Sequence, residues 1–176
     1  AILLAYHDRS DGGLFTTIAE MCFASHCGID VQLEGLTPNN SIVEVLFNEE
    51  LGAVIQVSAV DIERIELYAG NYNLKDCIFR VGELNDTDKV NIRLAEGTLF
   101  SEDRISLHRT WSETTFHMQS IRDNSECALE EYDLILDRSN PGLEHDLSFN
   151  IKENIAAPYL NLDVKPKVAV LREQGV

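Results

Sequence analysis

Residues 2–14 read ILLAYHDRSDGGL, and the rest of the chain is interpreted outward from this stretch. An apolar run of strand length is followed by polar residues, by two glycines and then by an apolar segment with helical spacing. The pattern predicts a strand, a tight loop and the beginning of a helix. Gly12 and Gly13 allow the backbone to bend sharply and a ligand to approach it closely. The side chains that the loop brings together are those of His7, Asp8, Ser10 and Asp11.

This predicted loop has the chemistry of a metal-nucleotide site. A helix N-terminus presents unpaired N–H groups and the positive end of the helix dipole, which favour a phosphate. Asp8 and Asp11 offer the hard oxygen ligands that magnesium prefers. A simpler interpretation stays open, in which the glycines form only a turn and Ser10 or Asp11 caps the helix. The loop is not a Walker motif, because it lacks the Gly-Lys-Ser/Thr ending.

Length and charge narrow the class of protein. A chain of 176 residues has room for one substantial core. Its 14 basic and 30 acidic residues give a net charge of −16, which argues against nucleic-acid or anionic-membrane partners. No apolar run approaches the roughly 18 residues of a membrane span, and no signal peptide is recognised. The four cysteines form no C-x-x-C pair, so we expect reduced thiols, a cytoplasmic location and no zinc site.

The remaining elements are predicted from periodicity and turn residues. A first helix covers 13–27 with Gly28 just after its end, and a strand covers 29–33. Residues 42–47 and 53–57 are rich in β-branched residues and predict a hairpin. Ser58 and Asp61 resemble a capping box that begins the next helix.

Further along, the chain predicts a three-strand meander over 77–84, 89–95 and 98–100, followed by a helix over 103–122. The spacing of one set of residues on that helix predicts a buried stripe: Leu107, Trp111, Thr114, Met118 and Ile121. A short helix near 126–136 leads into an acidic connector. The predicted fold class is α+β, with a mixed, mostly antiparallel sheet and helices packed on it.

Four segments together resemble phosphoribosylformylglycinamidine synthase of the large single-chain type. They are HDRSDGGL at 7–14, EELG at 49–52, RTWSETT at 109–115 and KPKVAVLREQGV at 165–176. The missing initiator Met and the strand-like run 168–171 near the end suggest a piece of a longer polypeptide. The resemblance implies that residues 1–136 are the C-terminal subdomain of the second synthetase half. Residues 137–166 would then be a connector, and 167–176 the first strand of a truncated glutaminase domain.

The resemblance also implies an activity for the full-length chain. Enzymes of this family are cytoplasmic ligases of purine biosynthesis and glutamine amidotransferases. They convert formylglycinamide ribonucleotide, glutamine and ATP to formylglycinamidine ribonucleotide, glutamate, ADP and phosphate. By this resemblance Asp8 is a Mg²⁺ ligand and Ser10 contacts the nucleotide, ATP or ADP. No catalytic residue is assigned, because the remaining ligands and the glutaminase triad belong to neighbouring domains, and the piece alone is expected to be inactive.

Two other classes of function are considered beside the ligase. A small metal-dependent hydrolase built on His7 and Asp8 would need further histidines at ligand spacing, and His26, His108, His117 and His145 do not supply it. A noncatalytic interaction module would use the acidic surface to bind a basic partner. The partners expected for the ligase are a nucleotide, the preceding synthetase subdomain and the following glutaminase domain.

Overall fold

The computed structural model of the protein describes residues 2–36, 41–95, 97–142, 145–160 and 167–169. The chain divides into two compact units, Ala1–Asn140 and Pro141–Val176. The strands described in the first unit are β1 (Leu3–Asp8), β2 (Gly28–Gln32), β3 (Ala53–Val57), β4 (Gly82–Asn85), β5 (Lys89–Leu94) and β6 (Gly97–Asp103). Its α-helices are α1 (Gly13–Ser25), α2 (Ile42–Phe47), α3 (Ile62–Asn71), α4 (Arg104–Arg122) and α5 (Ser125–Leu134).

The strands form two sheets. In the larger sheet the strand order is β4-β2-β5-β6, where β2 runs parallel to β5 and the other neighbours are antiparallel. The smaller sheet is a two-stranded antiparallel ribbon of β1 and β3, with Tyr6 opposite Ile55 and Asp8 opposite Ala53. The predicted α+β class, with mixed and mostly antiparallel strands, is therefore confirmed.

The core lies between α1 and the four-stranded sheet. Strands β2 and β5 are central in this sheet, and their side chains Val31, Val90 and Ile92 are almost completely buried. Apolar residues of α1 cover them, and α2 closes one end of the cluster through Leu46. The buried members of the core are Leu14, Ile18, Cys22, Val31, Leu33, Leu46, Val90 and Ile92. Burial raises the pKa of the Cys22 thiol to about 12, so this side chain behaves as a small apolar residue.

The hairpin predicted over 42–47 and 53–57 is wrong, because residues 42–47 form helix α2. Ser41 and Glu44 make a complete capping box: the Glu44 N–H donates to the Ser41 hydroxyl, and the Ser41 N–H donates to the Glu44 carboxylate. These local bonds outweigh the β preference of Ile42, Val43 and Val45. The box predicted at Ser58 is absent, since the Ser58 side chain makes no capping hydrogen bond.

The predicted meander is also wrong in its connectivity. Strand β2 lies between β4 and β5, so these two strands, although consecutive in the chain, do not pair with each other. Residue 77 belongs to a short 3₁₀ turn, Lys75–Cys77, rather than to a strand. Helix α1 ends earlier than predicted, with His26 as its C-cap in the left-handed conformation, and Gly28 begins β2.

Helix α4 has the predicted length but buries a different face. Trp111, Met118 and Ile121 are 54%, 67% and 89% exposed, so these three residues of the predicted stripe are not part of the core of this unit. Ile105 is buried, Leu107 packs against the core, and Phe116 stacks on Tyr132 of α5 with ring centroids 4.4 Å apart. A buried Arg104, whose guanidinium donates to the Asp88 carboxylate, fixes the beginning of the helix. The contacts at this end set the rotation of α4, which periodicity alone does not determine.

The second unit contains one 3₁₀ turn, Ala157–Tyr159, among its described residues. The described residues from 145 to 160 are all exposed. The strand predicted over 168–171 and the end of the truncated domain lie mainly outside the described residues. Within the described part of the chain, no helix combines the length and apolar character needed to cross a membrane.

Candidate metal-nucleotide site

The strand, loop and helix predicted from residues 2–14 are present. Strand β1 ends at Asp8 and α1 begins at Gly13, so the intervening loop spans residues 9–12. Gly12 and Gly13 have φ values of 80° and 68°, in the left-handed region where glycine is favoured. The N–H of Gly13 donates to the carbonyl of Ser10 at 2.9 Å, which closes the turn.

The two residues assigned by resemblance lie at the surface of this loop. Asp8 and Ser10 are both exposed, and the Tyr6 hydroxyl donates to the Asp8 carboxylate. Because Tyr6 and Asp8 are two residues apart on a strand, their side chains project from the same face. This hydrogen bond raises the pKa of Tyr6, since losing the proton would place a second negative charge beside Asp8. Within the described residues, the Ser10 hydroxyl and the Asp11 carboxylate have no hydrogen-bond partner, so neither caps α1.

A carboxylate from another segment reaches the beginning of α1. The Gly12 N–H donates to Glu49 at 2.9 Å, so this donor is already paired with an anion of the chain itself. Sequence analysis missed this contact, although EELG at 49–52 is one of the four segments that carry the resemblance. A phosphate at this loop would meet Asp8, Asp11 and Glu49, and would need a metal ion or cationic groups to offset their charge.

Arg9 shapes the loop from the other side. Its guanidinium donates to the carbonyls of Glu50 and Leu51 at 2.6 and 3.2 Å, and its backbone N–H donates to the carbonyl of Gly52 at 2.9 Å. Arg9 is therefore engaged with the 50–52 segment rather than directed at a ligand. The segments HDRSDGGL and EELG, far apart in sequence, form one structural unit here.

Asp8 fits the chemistry of magnesium as one ligand among several. Magnesium in nucleotide sites usually binds one or two carboxylates together with phosphates and waters. Across the described ranges, no group of three or more His, Cys, Asp and Glu side chains is placed to hold a metal ion. Among the described residues Asp8 is the ligand that the resemblance assigns, and any further ligands would come from the nucleotide, from water or from another domain.

The His7 side chain lies on the opposite face of β1 from the Asp8 carboxylate and makes different contacts. Its Nε2 lies 2.8 Å from a Glu20 oxygen, and its Nδ1 lies 2.7 Å from the carbonyl oxygen of Asp8. His7, Glu20 and Trp111 belong to the lining of an open, mainly apolar groove of about 1290 Å³ beside β1 and β3. Asp8 and Ser10 do not line this groove. It is larger than the roughly 300–1,000 Å³ of typical small-molecule pockets.

The family of the chain follows from its sequence and is consistent with this geometry. The family described as AIR synthase related protein, C-terminal domain, matches residues 2–95, which include the loop and the β1–β3 ribbon. The chain belongs to this family. The match begins just before β1 and ends just after β5. It therefore contains the Asp8 loop and every strand except β6.

Solved structures of Thermotoga maritima proteins share this fold. PurL complexed with FGAR is similar with a TM-score of 0.51 and 19% identity, over 60% of this chain and 18% of that one. PurL complexed with ADP and the PurLQS structure each give a TM-score of 0.50 and 19% identity, over 58% of this chain and 18% of theirs. At these identities the likeness concerns the fold. The chain spans less than a fifth of the length of these proteins.

Proposed function

We propose that this chain is part of a phosphoribosylformylglycinamidine synthase and contributes Asp8 and Ser10 to a magnesium-nucleotide site. The full-length enzyme would use ATP and glutamine to convert formylglycinamide ribonucleotide to the amidine, as a ligase of purine biosynthesis in the cytoplasm. The observation that carries the proposal is the loop of residues 8–13 between β1 and α1 in a chain of the AIR synthase related family. Related folds in complexes with ADP and with FGAR support the choice of ligands.

Each residue would have a limited role. Asp8 would bind Mg²⁺ through its exposed carboxylate, and Ser10 would donate a hydrogen bond from its hydroxyl to the nucleotide. Magnesium, when bound, would offset the charge of the phosphates against Asp8 and Glu49. Glycines at 12 and 13 would let the phosphates approach the backbone at the beginning of α1.

We further propose the domain assignment of a large single-chain enzyme. Residues 1–136 would be the C-terminal subdomain of the second synthetase half, residues 137–166 a connector, and residues 167–176 the first strand of the glutaminase domain. The preceding subdomain would supply the other metal ligands, since the described residues bring together no group of three or more side chains placed to hold a metal ion. The protein would meet no nucleic acid or membrane surface, in line with its net charge of −16.

The test measures the nucleotide and magnesium content of purified full-length variants, together with synthase activity. Asp8→Asn keeps the shape of the side chain but removes its charge, and should lower the occupancy of both ligands strongly. Ser10→Ala removes one hydrogen bond, worth roughly 0.5–1.5 kcal/mol, and should have a smaller effect. Asp11→Asn is the matched control, since it neutralises a neighbouring carboxylate of the same loop. If Asp11→Asn loses metal and nucleotide while Asp8→Asn keeps both, the wrong carboxylate has been assigned.

A further inference from the structure

A chain of three polar contacts joins helix α4 to the loop of the proposed site. The indole N–H of Trp111 donates to Oε1 of Glu20 at 3.0 Å. The other carboxylate oxygen, Oε2, lies 2.8 Å from Nε2 of His7. The Nδ1 atom of His7 then lies 2.7 Å from the carbonyl oxygen of Asp8. Each oxygen of Glu20 and each ring nitrogen of His7 therefore has its own partner.

The far end of this chain of contacts is held by aromatic packing. Trp111 contacts the buried ring of Phe23 at a centroid distance of 5.9 Å, and that ring stacks on His108 at 4.5 Å with an interplanar angle of 7°. Phe23 belongs to α1, while His108 and Trp111 belong to α4. The indole is thus fixed against α1 although about half of its surface is exposed. Its N–H points to Glu20 rather than to solvent.

At the other end of this series of contacts, His7 contacts Asp8, the residue that carries the proposed metal-binding carboxylate. His7 is opposite Val54 in the β1–β3 ribbon, which restrains its backbone. Its ring contacts the main-chain carbonyl of Asp8 and not the carboxylate, which accepts from the Tyr6 hydroxyl and stays exposed at the proposed site. Holding the main chain at this position limits the directions that the carboxylate can take. Because the Asp8 carboxylate is already oriented, less conformational entropy is lost when a metal-nucleotide complex binds to it.

We propose that Glu20 and Trp111 are positioning residues for the Asp8 loop, acting through the ring of His7. The proposal rests on the proposed function, because it assumes that Asp8 serves a magnesium-nucleotide complex. Neither residue touches the ligand. The inference also accounts for an exposed tryptophan on α4, whose N–H group, as well as its ring, has a role.

Three substitutions in the full-length protein separate the links of this contact chain. Trp111→Phe keeps an aromatic ring against Phe23 and removes only the N–H donor. Glu20→Ala removes both contacts of the carboxylate. Glu20→Gln keeps the length of the side chain, offers an amide oxygen to Trp111 and an amide N–H₂ to His7, and serves as the conservative rescue. The matched control is Glu113→Ala on the outer side of α4, where Glu113 has only a 3.9 Å pair with His117.

The measured quantity is the dissociation constant for ADP with Mg²⁺, determined by calorimetry. Breaking the series of contacts, at one link in Trp111→Phe and at two in Glu20→Ala, should raise this constant about three- to tenfold in each variant. The double variant should bind no more weakly than Glu20→Ala alone, because both changes break the same chain. Glu20→Gln and Glu113→Ala should bind within about twofold of the natural protein. Thermal unfolding of each variant identifies any loss of binding that comes from a loss of folded protein.

A spectroscopic signal provides a second readout that a purely structural role would not move. With 5-fluorotryptophan incorporated, the ¹⁹F resonance that is missing in Trp111→Phe belongs to Trp111. It should shift when ADP and Mg²⁺ bind, and the shift should disappear in Glu20→Ala and return in Glu20→Gln.

Two results would overturn the proposal, and they differ in what they say about the site. If Asp8→Asn weakens binding while Trp111→Phe and Glu20→Ala bind normally, the contact chain does not position the loop, and the proposed function stands. If Asp8→Asn also binds normally, the proposed function fails and the positioning proposal fails with it.

Discussion

The two sheets of the first unit differ in how far their apolar side chains are buried. In the four-stranded sheet Val31 and Val90 are each 1% exposed, because α1 covers the face they share. In the β1–β3 ribbon Leu4 and Tyr6 are 61% and 59% exposed. The larger sheet, α1 and Leu46 of α2 therefore form a buried core, whereas the ribbon that carries Asp8 leaves apolar surface uncovered. Two strands alone are marginally stable in water, so the ribbon depends on what it is attached to.

This contrast bears on where function resides. The covered sheet provides a rigid support, and the loop at the end of β1 is anchored to it through α1, α2 and the 49–52 segment. A site placed on such a loop can be open to a ligand and still be held in place. The exposed apolar surface of the ribbon and of α4 lies outside the core that this chain builds for itself.

The largest expected effect separates the two sheets directly. Leu33 is fully buried, so Leu33→Ala should lower the free energy of unfolding of the 176-residue chain by about 2–5 kcal/mol. Leu4→Ala, in the ribbon, should change it by no more than about 0.5 kcal/mol. Both changes in the free energy of unfolding would be measured by urea unfolding followed by circular dichroism. Equal effects of the two substitutions would contradict the contrast between the sheets.

The same pair sharpens the comparison in the full-length protein. There, Leu4→Ala should become distinctly more destabilising if other domains cover the ribbon, while the effect of Leu33→Ala should stay the same. An unchanged effect of Leu4→Ala would mean that the ribbon is also exposed in the whole protein.

The next effect tests the junction between the proposed site and the core. Gly13 has a positive φ, and a Cβ added there would lie 2.7 Å from the carbonyl carbon of Phe47 and 2.8 Å from the carbonyl oxygen of Leu46. Gly13→Ala should therefore destabilise the chain by about 2 kcal/mol or more, through backbone strain and through displacement of α2. Gly70→Ala is the control, since Gly70 lies in α3 with no atom within 4 Å of the added Cβ. It should stabilise the chain by about 0.5–1 kcal/mol.

Local signals in the sequence predicted much of this structure. The order of strand, glycine loop and helix over 2–25 was correct because an apolar run, two glycines and helical spacing specify it within a few residues. The capping box of helix α2 is present in the sequence, but the β-branched residues at 42, 43 and 45 favour a strand, so the pattern predicts a hairpin there instead. The insertion of β2 between β4 and β5 has no local signal, since it joins residues about sixty positions apart.

In the candidate site, too, the features with a local sequence signal were predicted and those that depend on distant residues were not. Asp8 and Ser10 were assigned from a contiguous motif, and they lie at the loop surface where a ligand could reach them. The contact of Glu49 with Gly12 spans 37 residues, and that of Trp111 with Glu20 spans 91. Periodicity predicted a buried Trp111 because it treats tryptophan as a purely apolar residue. The indole N–H needs an acceptor, and Glu20 meets that need at the surface of the unit.

The smallest expected effect concerns α2, whose Leu46 closes the core beside the loop. Two serines carry the sequence pattern of a capping box, but only Ser41 makes the bonds, with its hydroxyl accepting from the Glu44 N–H at 3.2 Å. Ser41→Ala leaves a helix N–H without its acceptor and should destabilise the chain by about 1 kcal/mol in urea unfolding. Ser58→Ala removes a hydroxyl that makes no cap and should fall within about 0.5 kcal/mol of the natural chain. If Ser58→Ala destabilised the chain as much as Ser41→Ala, Ser58 would act as a helix cap, as the capping box predicted at Ser58–Asp61 requires. Because α2 packs against Gly13, amide hydrogen exchange at the beginning of α1 should rise in Ser41→Ala and stay unchanged in Ser58→Ala.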